Sequence, residues 1–264
     1  MMTKPAPAKS IIALTLALAG KRKIDAAAGA ALKDALTLTF DTVAVRLAEL
    51  AVLTGQANDP LAARCSGDTA RLTLVSGLAD GVDMLGADVF LARSLSSDDP
   101  RRILGVVLPC GREDFVNHSY VNDRVAFNRL WERCSIIIDV GAPLPPSPST
   151  LPPGSLSPAE VEDYRAKREH AFSAQSGEIV RNADILVAVD DPDDDGKPGG
   201  TRESIRTALS VGVPVILIRL GEAGLAILRS RGDFDEPQIM ATDLEAGAAV
   251  RSLLDDVVGY IAAP

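Results

Sequence analysis

Three loops in this chain carry residues able to handle an anion or a sugar, and each follows a short apolar run. The first is Gly20-Lys21-Arg22. Glycine frees the backbone to turn tightly, and Lys21 and Arg22 can neutralise a phosphate, arginine with a two-pronged fork. The plain alternative is a polar turn with Asp25 capping the next helix. The second loop, Ser76-Gly77 with Asp80 and Asp83 beyond it, places a glycine where a helix opens. Its N–H groups can face an anion, and carboxylates suit the first turn, so Asp80 reads either as a ligand contact or as a simple cap. The third loop is Gly199-Gly200-Thr201 with Glu203. Its amides and the Thr201 hydroxyl can cradle a phosphate, and Glu203 can hydrogen-bond a ribose or act as a general acid/base. Equally, Thr201 is an N-cap and Glu203 completes a capping box. None of the three loops is a G-x-G-x-x-G or G-x-x-x-x-G-K-[ST] motif.

Other candidates carry less. Arg112 follows the third apolar run and either faces the same ligand or lies in a surface turn, while Cys110 beside it has no base nearby in sequence. The acidic run 190–195 offers oxygen ligands but no EF-hand spacing, and with only two histidines a His-based zinc site is not expected. No metal and no cofactor are therefore expected. The helical stretch 164–172 is basic on one side, which reads as a solvated face or as a segment reaching over a pocket.

These loops need strands to hold them. Apolar runs occur at 11–19, 72–75, 103–108, 136–140, 185–189 and 213–218, each continuous rather than alternating, as for parallel strands covered on both faces. Between them, 26–53, 81–95, 122–133, 158–181 and 201–211 have helical spacing, and 243–262 reads as a closing helix with Asp243 as N-cap. The alternation predicts an α/β fold: a Rossmann-like, doubly wound, mainly parallel sheet of about six or seven strands with helices on both faces. A single domain is expected over 1–264, with its core at 11–218, a Pro/Ser-rich surface loop at 141–158 and a C-terminal extension at 219–264.

The totals narrow the class. The chain has 264 residues, 47% hydrophobic, and a formal net charge of -9, so no overall basic surface for a polyanion is expected. No apolar run approaches the ~20 residues that span a bilayer, so no membrane partner is expected. The three cysteines are scattered, which suggests a reducing, cytoplasmic setting. Lys4, Lys9, the run 11–19 and Ala17-Leu18-Ala19-Gly20 outline a signal peptide. The same residues are the sole candidate for a central first strand before Leu72, and the basic cluster 21–23 opposes export, so the run is read as a strand. The Ala-rich segment 26–35 offers a contact for a homo-oligomer.

The string VSGLADGVDMLGAD, residues 75–88, resembles the S-G-x-A-x-G-x-D stretch of the DprA/Smf DNA-processing proteins. PGGTRES, residues 198–204, resembles a shortened P-G-G-x-G-T-x-x-E motif of the Lonely Guy phosphoribohydrolases. Both families lie in the SLOG superfamily of Rossmann-like nucleotide-binding domains. The layout over 11–218 is most similar to bacterial SLOG proteins of unassigned function, through Gly20 and Arg22, Ser76 to Asp83, Pro109 with Asp114 and Phe115, and Gly199 to Glu203. The resemblance implies a nucleotide or nucleotide-derived signalling ligand at the carboxyl edge of the sheet, held by Gly20, Lys21, Arg22, Ser76, Gly77, Asp80, Arg112, Gly199, Gly200, Thr201 and Glu203. It also implies a sensor role in a bacterial defence or stress system, with an effector as partner protein or fused domain. The alternative is a Lonely Guy-like nucleoside-monophosphate phosphoribohydrolase with Glu203 as acid/base. Here only Arg202 separates Thr201 from Glu203, a departure from the hydrolase motif. The winged helix and basic surface of DNA-binding relatives are not seen, so no nucleic-acid partner is expected.

Overall fold

The first apolar run becomes the middle strand of a seven-stranded sheet. In the computed structural model, residues 10–53, 69–92, 100–117, 121–141, 144, 151–152, 154–193, 199–222 and 224–262 are described. The elements run β1 (Ala13–Gly20), α1 (Ala26–Leu53), β2 (Arg71–Ser76), α2 (Val82–Ala92), β3 (Arg101–Leu108), α3 (Arg112–Asn117), α4 (Arg124–Trp131) and β4 (Cys134–Asp139). They continue with α5 (Pro158–Arg181), β5 (Ile185–Asp190), α6 (Thr201–Ser210), β6 (Val215–Arg219), β7 (Leu225–Leu228), α7 (Arg231–Asp235) and α8 (Asp243–Ala262). The strand order is β4-β3-β2-β1-β5-β6-β7, with every neighbouring pair parallel except β6–β7. This is the expected Rossmann-like α/β class.

Side-chain size sorts the two faces. On β1, Leu14, Leu16 and Leu18 enter the larger core with α1, α2 and α8, while Ala17 joins the smaller core with α5 and α6. β5 repeats the split, with Ile185, Val187 and Val189 on one face and Leu186 and Ala188 on the other. Successive side chains alternate between faces, so a continuous apolar run feeds both layers. On the larger side Phe40 and Phe90 meet edge-to-face, with centroids 5.6 Å apart. The residues after Ile218 also enter this core, through Ala246, Val250, Leu253 and Leu254 of α8.

Local signals explain the helix starts. Ser157 and Glu160 form a reciprocal capping box ahead of α5, with Pro158 in its first turn. Asp25 caps α1, its Oδ1 accepting from the Ala28 amide at 2.7 Å. For α8 the reading is corrected: Thr242, not Asp243, is the cap, its Oγ1 accepting from the Glu245 amide at 3.3 Å.

Two further differences follow from tertiary position. The fourth run is not covered on both faces, because β4 is an edge strand on which Ile136 and Ile137 are 39% and 53% exposed. The stretch after Ile218 contains β7, four residues long, whose antiparallel ladder with β6 is followed by a bridge from Leu225 to Met240. A strand that short has no distinct periodicity.

Candidate functional site

Strand order reverses between β1 and β5, so the loops leaving their carboxyl ends diverge there, at the switch point where ligands bind in sheets of this kind. Gly20 and Val189 are register partners at this point. An ion pair between Lys21 and Asp191 joins the two loops, and it holds the Asp191 carboxyl below its usual range. Next to this pair, Arg202 of α6 donates to the buried Asp190 carboxylate at 3.0 Å and to the carbonyls of Asp191 and Pro192 at 3.2 and 3.0 Å. The guanidinium compensates a carboxylate that is only 1% exposed.

The glycines act here through space. A Cβ on Gly20 would stand 2.5 Å from Val82, so this residue lets α2 close onto β1. Gly20 is not among the residues with positive φ, so the tight turn expected of it is not its role. Gly81 has φ 86°, and its missing Cβ would meet the Arg22 carbonyl oxygen at 2.4 Å. The Val82 amide donates to the Lys21 carbonyl at 3.1 Å, which joins the first loop to the start of α2.

In the second loop the amides are satisfied internally. Ser76 is fully buried and its Oγ accepts from the Leu78 amide at 3.2 Å. Asp83 folds back so that its Oδ2 accepts from the Ala79 amide at 3.3 Å. Burial pushes the Asp83 carboxyl up to about 7, opposed by the Ala79 amide, the Arg22 charge and the Gly77 amide. Gly77 lies between Asp83 and Gln175: its Cβ would sit 2.9 Å from Asp83 Oδ2 and 2.8 Å from Gln175 Nε2. Gln175 itself donates to the Val107 carbonyl at 2.6 Å. Asp80 is turned elsewhere, its Oδ2 accepting from the Asn122 amide at 2.8 Å and from the Asn122 side chain.

In the third loop Gly199 has φ 71° and packs on Phe172, whose Cβ would be 2.4 Å from an added methyl. The Gly199 amide donates to Glu203 Oε2 at 2.5 Å, and the Ser173 hydroxyl donates to the same oxygen at 3.3 Å. Gly200 is the N-cap of α6, so Thr201 is its first helical residue rather than the cap, and it is buried. Residues 194–198, including Pro198 of the motif, lie outside the described residues.

One face of α5 ties these loops together. Phe172 and Ser173 hold the third loop, Gln175 reaches the second, and the Ser176 hydroxyl meets that of Ser204 at 2.7 Å. The basic stretch 164–172 thus ends at these loops through Phe172. Lys21, Arg22, Gly77, Gly199, Gly200, Thr201 and Glu203 accordingly belong to one connected edge. Arg112 does not join it. Its guanidinium donates to Asn128 at 2.8 Å and lies 5.0 Å from the Trp131 ring centroid, so its contacts are with α4. The sequence marks Asp83 in the second loop and Asp190 and Asp191 in the acidic run, without naming them as contacts to this ligand, whereas Gln175, Ser173 and Arg202 carry no local signal. Cys110 is buried and its thiol is pushed up to about 12, chiefly by burial, which leaves it unsuited to nucleophilic chemistry.

No family model matches the chain, and no curated protein matches it. Among solved structures it is similar to DNA processing protein A from Helicobacter pylori, described for its single-stranded DNA binding mode. The identity is 15% and the TM-score 0.46, over 92% of this chain and 81% of that one. The expectation that nucleic acid is no partner is corrected on this finding, since the protein found to be similar binds single-stranded DNA. A net charge of -9 is a property of the whole chain and leaves the charge of any one surface open. Among the described residues, no helix is long and apolar enough to cross a membrane. What is established is the fold, a Rossmann-like α/β sheet, mainly parallel, with its switch point between β1 and β5.

Proposed function

We propose that the carboxyl edge of β1, β2 and β5 binds a nucleotide or a nucleotide-derived signalling ligand. The observation that carries this reading is the gathering of cations and carboxylates at the switch point. Arg22 supplies positive charge for a phosphate beside Lys21 and Arg202, which are ion-paired to Asp191 and Asp190, while Asp83 and Glu203 each spend one named oxygen on loop donors. Their second oxygens can accept from ribose hydroxyls or a base amine. The SLOG-like strings at 75–88 and 198–204 supply the two loops concerned, and that resemblance supports a sensor role in a bacterial defence or stress system. The phosphoribohydrolase reading draws no support from Glu203, whose Oε2 is occupied by Gly199 and Ser173 in the manner of a helix cap.

Calorimetric titration with nucleoside mono-, di- and triphosphates, dinucleotides and a short single-stranded DNA tests the proposal. One nucleotide class is expected to bind, with Arg22→Ala and Thr201→Ala each weakening it by about tenfold. Absence of binding across the panel, or affinity indifferent to both variants, overturns it. Binding of the DNA alone replaces the small ligand with a nucleic acid.

A further inference from the structure

The two edges of the sheet are managed differently. Beyond β7, Leu225 and Met240 exchange backbone hydrogen bonds of 3.2 and 2.8 Å, which extends the ladder. Beyond β4, no strand pairs with its outer side among the described residues. The Val140 amide donates to Leu108 of β3 at 3.0 Å. By the alternation of a parallel ladder, Ile138 also bonds inward, and the backbone groups of Ile137 and Asp139 point outward.

Edge strands are normally protected by lysine, proline or an inward charge, because an open row of N–H and C=O groups templates further pairing. β4, Cys-Ser-Ile-Ile-Ile-Asp, contains neither lysine nor proline, and the register shift in its ladder with β3 falls at its start, between Cys134 and Ile136, ahead of the exposed isoleucine side chains' pairing positions. Its exposed aliphatic side chains lie on both faces, with Ile136 39% and Ile137 53% exposed. Arg133 immediately precedes the strand, beside the exposed Glu132, and Asp139 closes it; both are exposed, Arg133 reaching the Leu91 carbonyl at 3.5 Å and Asp139 accepting from the Gly141 amide at 2.8 Å. A strand with this pattern is complementary to itself when reversed. Antiparallel pairing about a two-fold axis near Ile137 would set the start of each β4 alongside the end of the other. Each Arg133 then comes within reach of the partner copy's aspartate, and the exposed isoleucines are covered.

We propose that β4 is a self-association edge, through which two copies of this chain join their sheets into one continuous antiparallel-centred sheet. The occupant is a second copy because the charge pattern fits its own reverse.

Sedimentation velocity of the full chain over a range of concentrations tests this. The wild type is expected to form a dimer, and Ile137→Lys to weaken it by at least about tenfold through like charges meeting at the axis. The melting temperature should hold, since the Ile137 side chain is outside the core. Arg133→Asp and Asp139→Arg are each expected to be monomeric, because each places like charges together, whereas an equimolar mixture should dimerise with both pairs restored. A wild type that stays monomeric, as when another segment of the chain or a different protein covers the edge, overturns the proposal. So does a dimer indifferent to Ile137→Lys, or a mixture that fails to associate.

Discussion

Gly81→Ala is expected to destabilise the protein by about 3 kcal/mol, read as a lower denaturation midpoint with an unchanged slope. Two costs combine. The residue sits at φ 86°, where an L side chain is strained by about 1 kcal/mol. The new methyl would also lie 2.4 Å from the Arg22 carbonyl oxygen and 2.5 Å from that of Lys21. Both are backbone atoms, so no rotamer change relieves the clash. Overpacking of this kind adds about 1–3 kcal/mol. Gly212→Ala is the control, because Gly212 has φ 80° but nothing within 4 Å of its Cβ position. It isolates the backbone cost. If the two variants are equally stable, the close approach of the first loop to α2 is not what Gly81 serves. Because that approach positions Arg22, Gly81→Ala should also weaken nucleotide binding.

Asp83→Asn is expected to flatten the pH dependence of stability in the window between about 4 and 7. The carboxyl is raised in the folded protein from 3.8 to about 7, mainly by burial. Within that window the folded state holds a proton that the unfolded chain has released. Its contribution is therefore fully present below the unfolded value and is lost as pH rises through the folded one, at up to about 1.4 kcal/mol per pH unit. Binding should follow the same group. An anionic ligand meets a neutral Asp83 below about 7 and an ionised one above it, so affinity should fall by up to about tenfold per pH unit on the alkaline side. A dinucleotide, whose phosphodiesters do not titrate there, is the appropriate probe. An unchanged profile in the asparagine variant would show that Asp83 is already ionised at neutral pH.

Much of the architecture was legible in local patterns. Helices predicted over 26–53 and 158–181 are α1 and α5 with the same bounds, and five of the six apolar runs are interior strands. A parallel strand buried on both faces must be apolar at every position, and a capped helix announces itself within one turn, as Ser157, Pro158 and Glu160 do. The sixth, at 136–140, carries the same letters but lies at the edge, where the missing neighbour rather than the composition sets exposure.

Side-chain partnership was not legible to the same degree. Asp80 and Asp83 are both acidic residues near the start of α2, yet one pairs with Asn122 and the other folds over the second loop. Arg112 follows a strand like the other loop residues, yet Trp131 and Asn128 draw it onto α4. Lys21 reads as a free cation until Asp191, 170 residues away, stands opposite it. By itself the sequence determined the alternating elements, the central place of the first strand and the glycine loops at one edge, because periodicity and turn chemistry are local. Only the tertiary structure decided which carboxylate meets which amide, why Gly20, Gly81 and Gly199 must lack a side chain, and which strand lies at the edge. Those outcomes depend on atoms brought together from distant parts of the chain, and no window along it contains both partners.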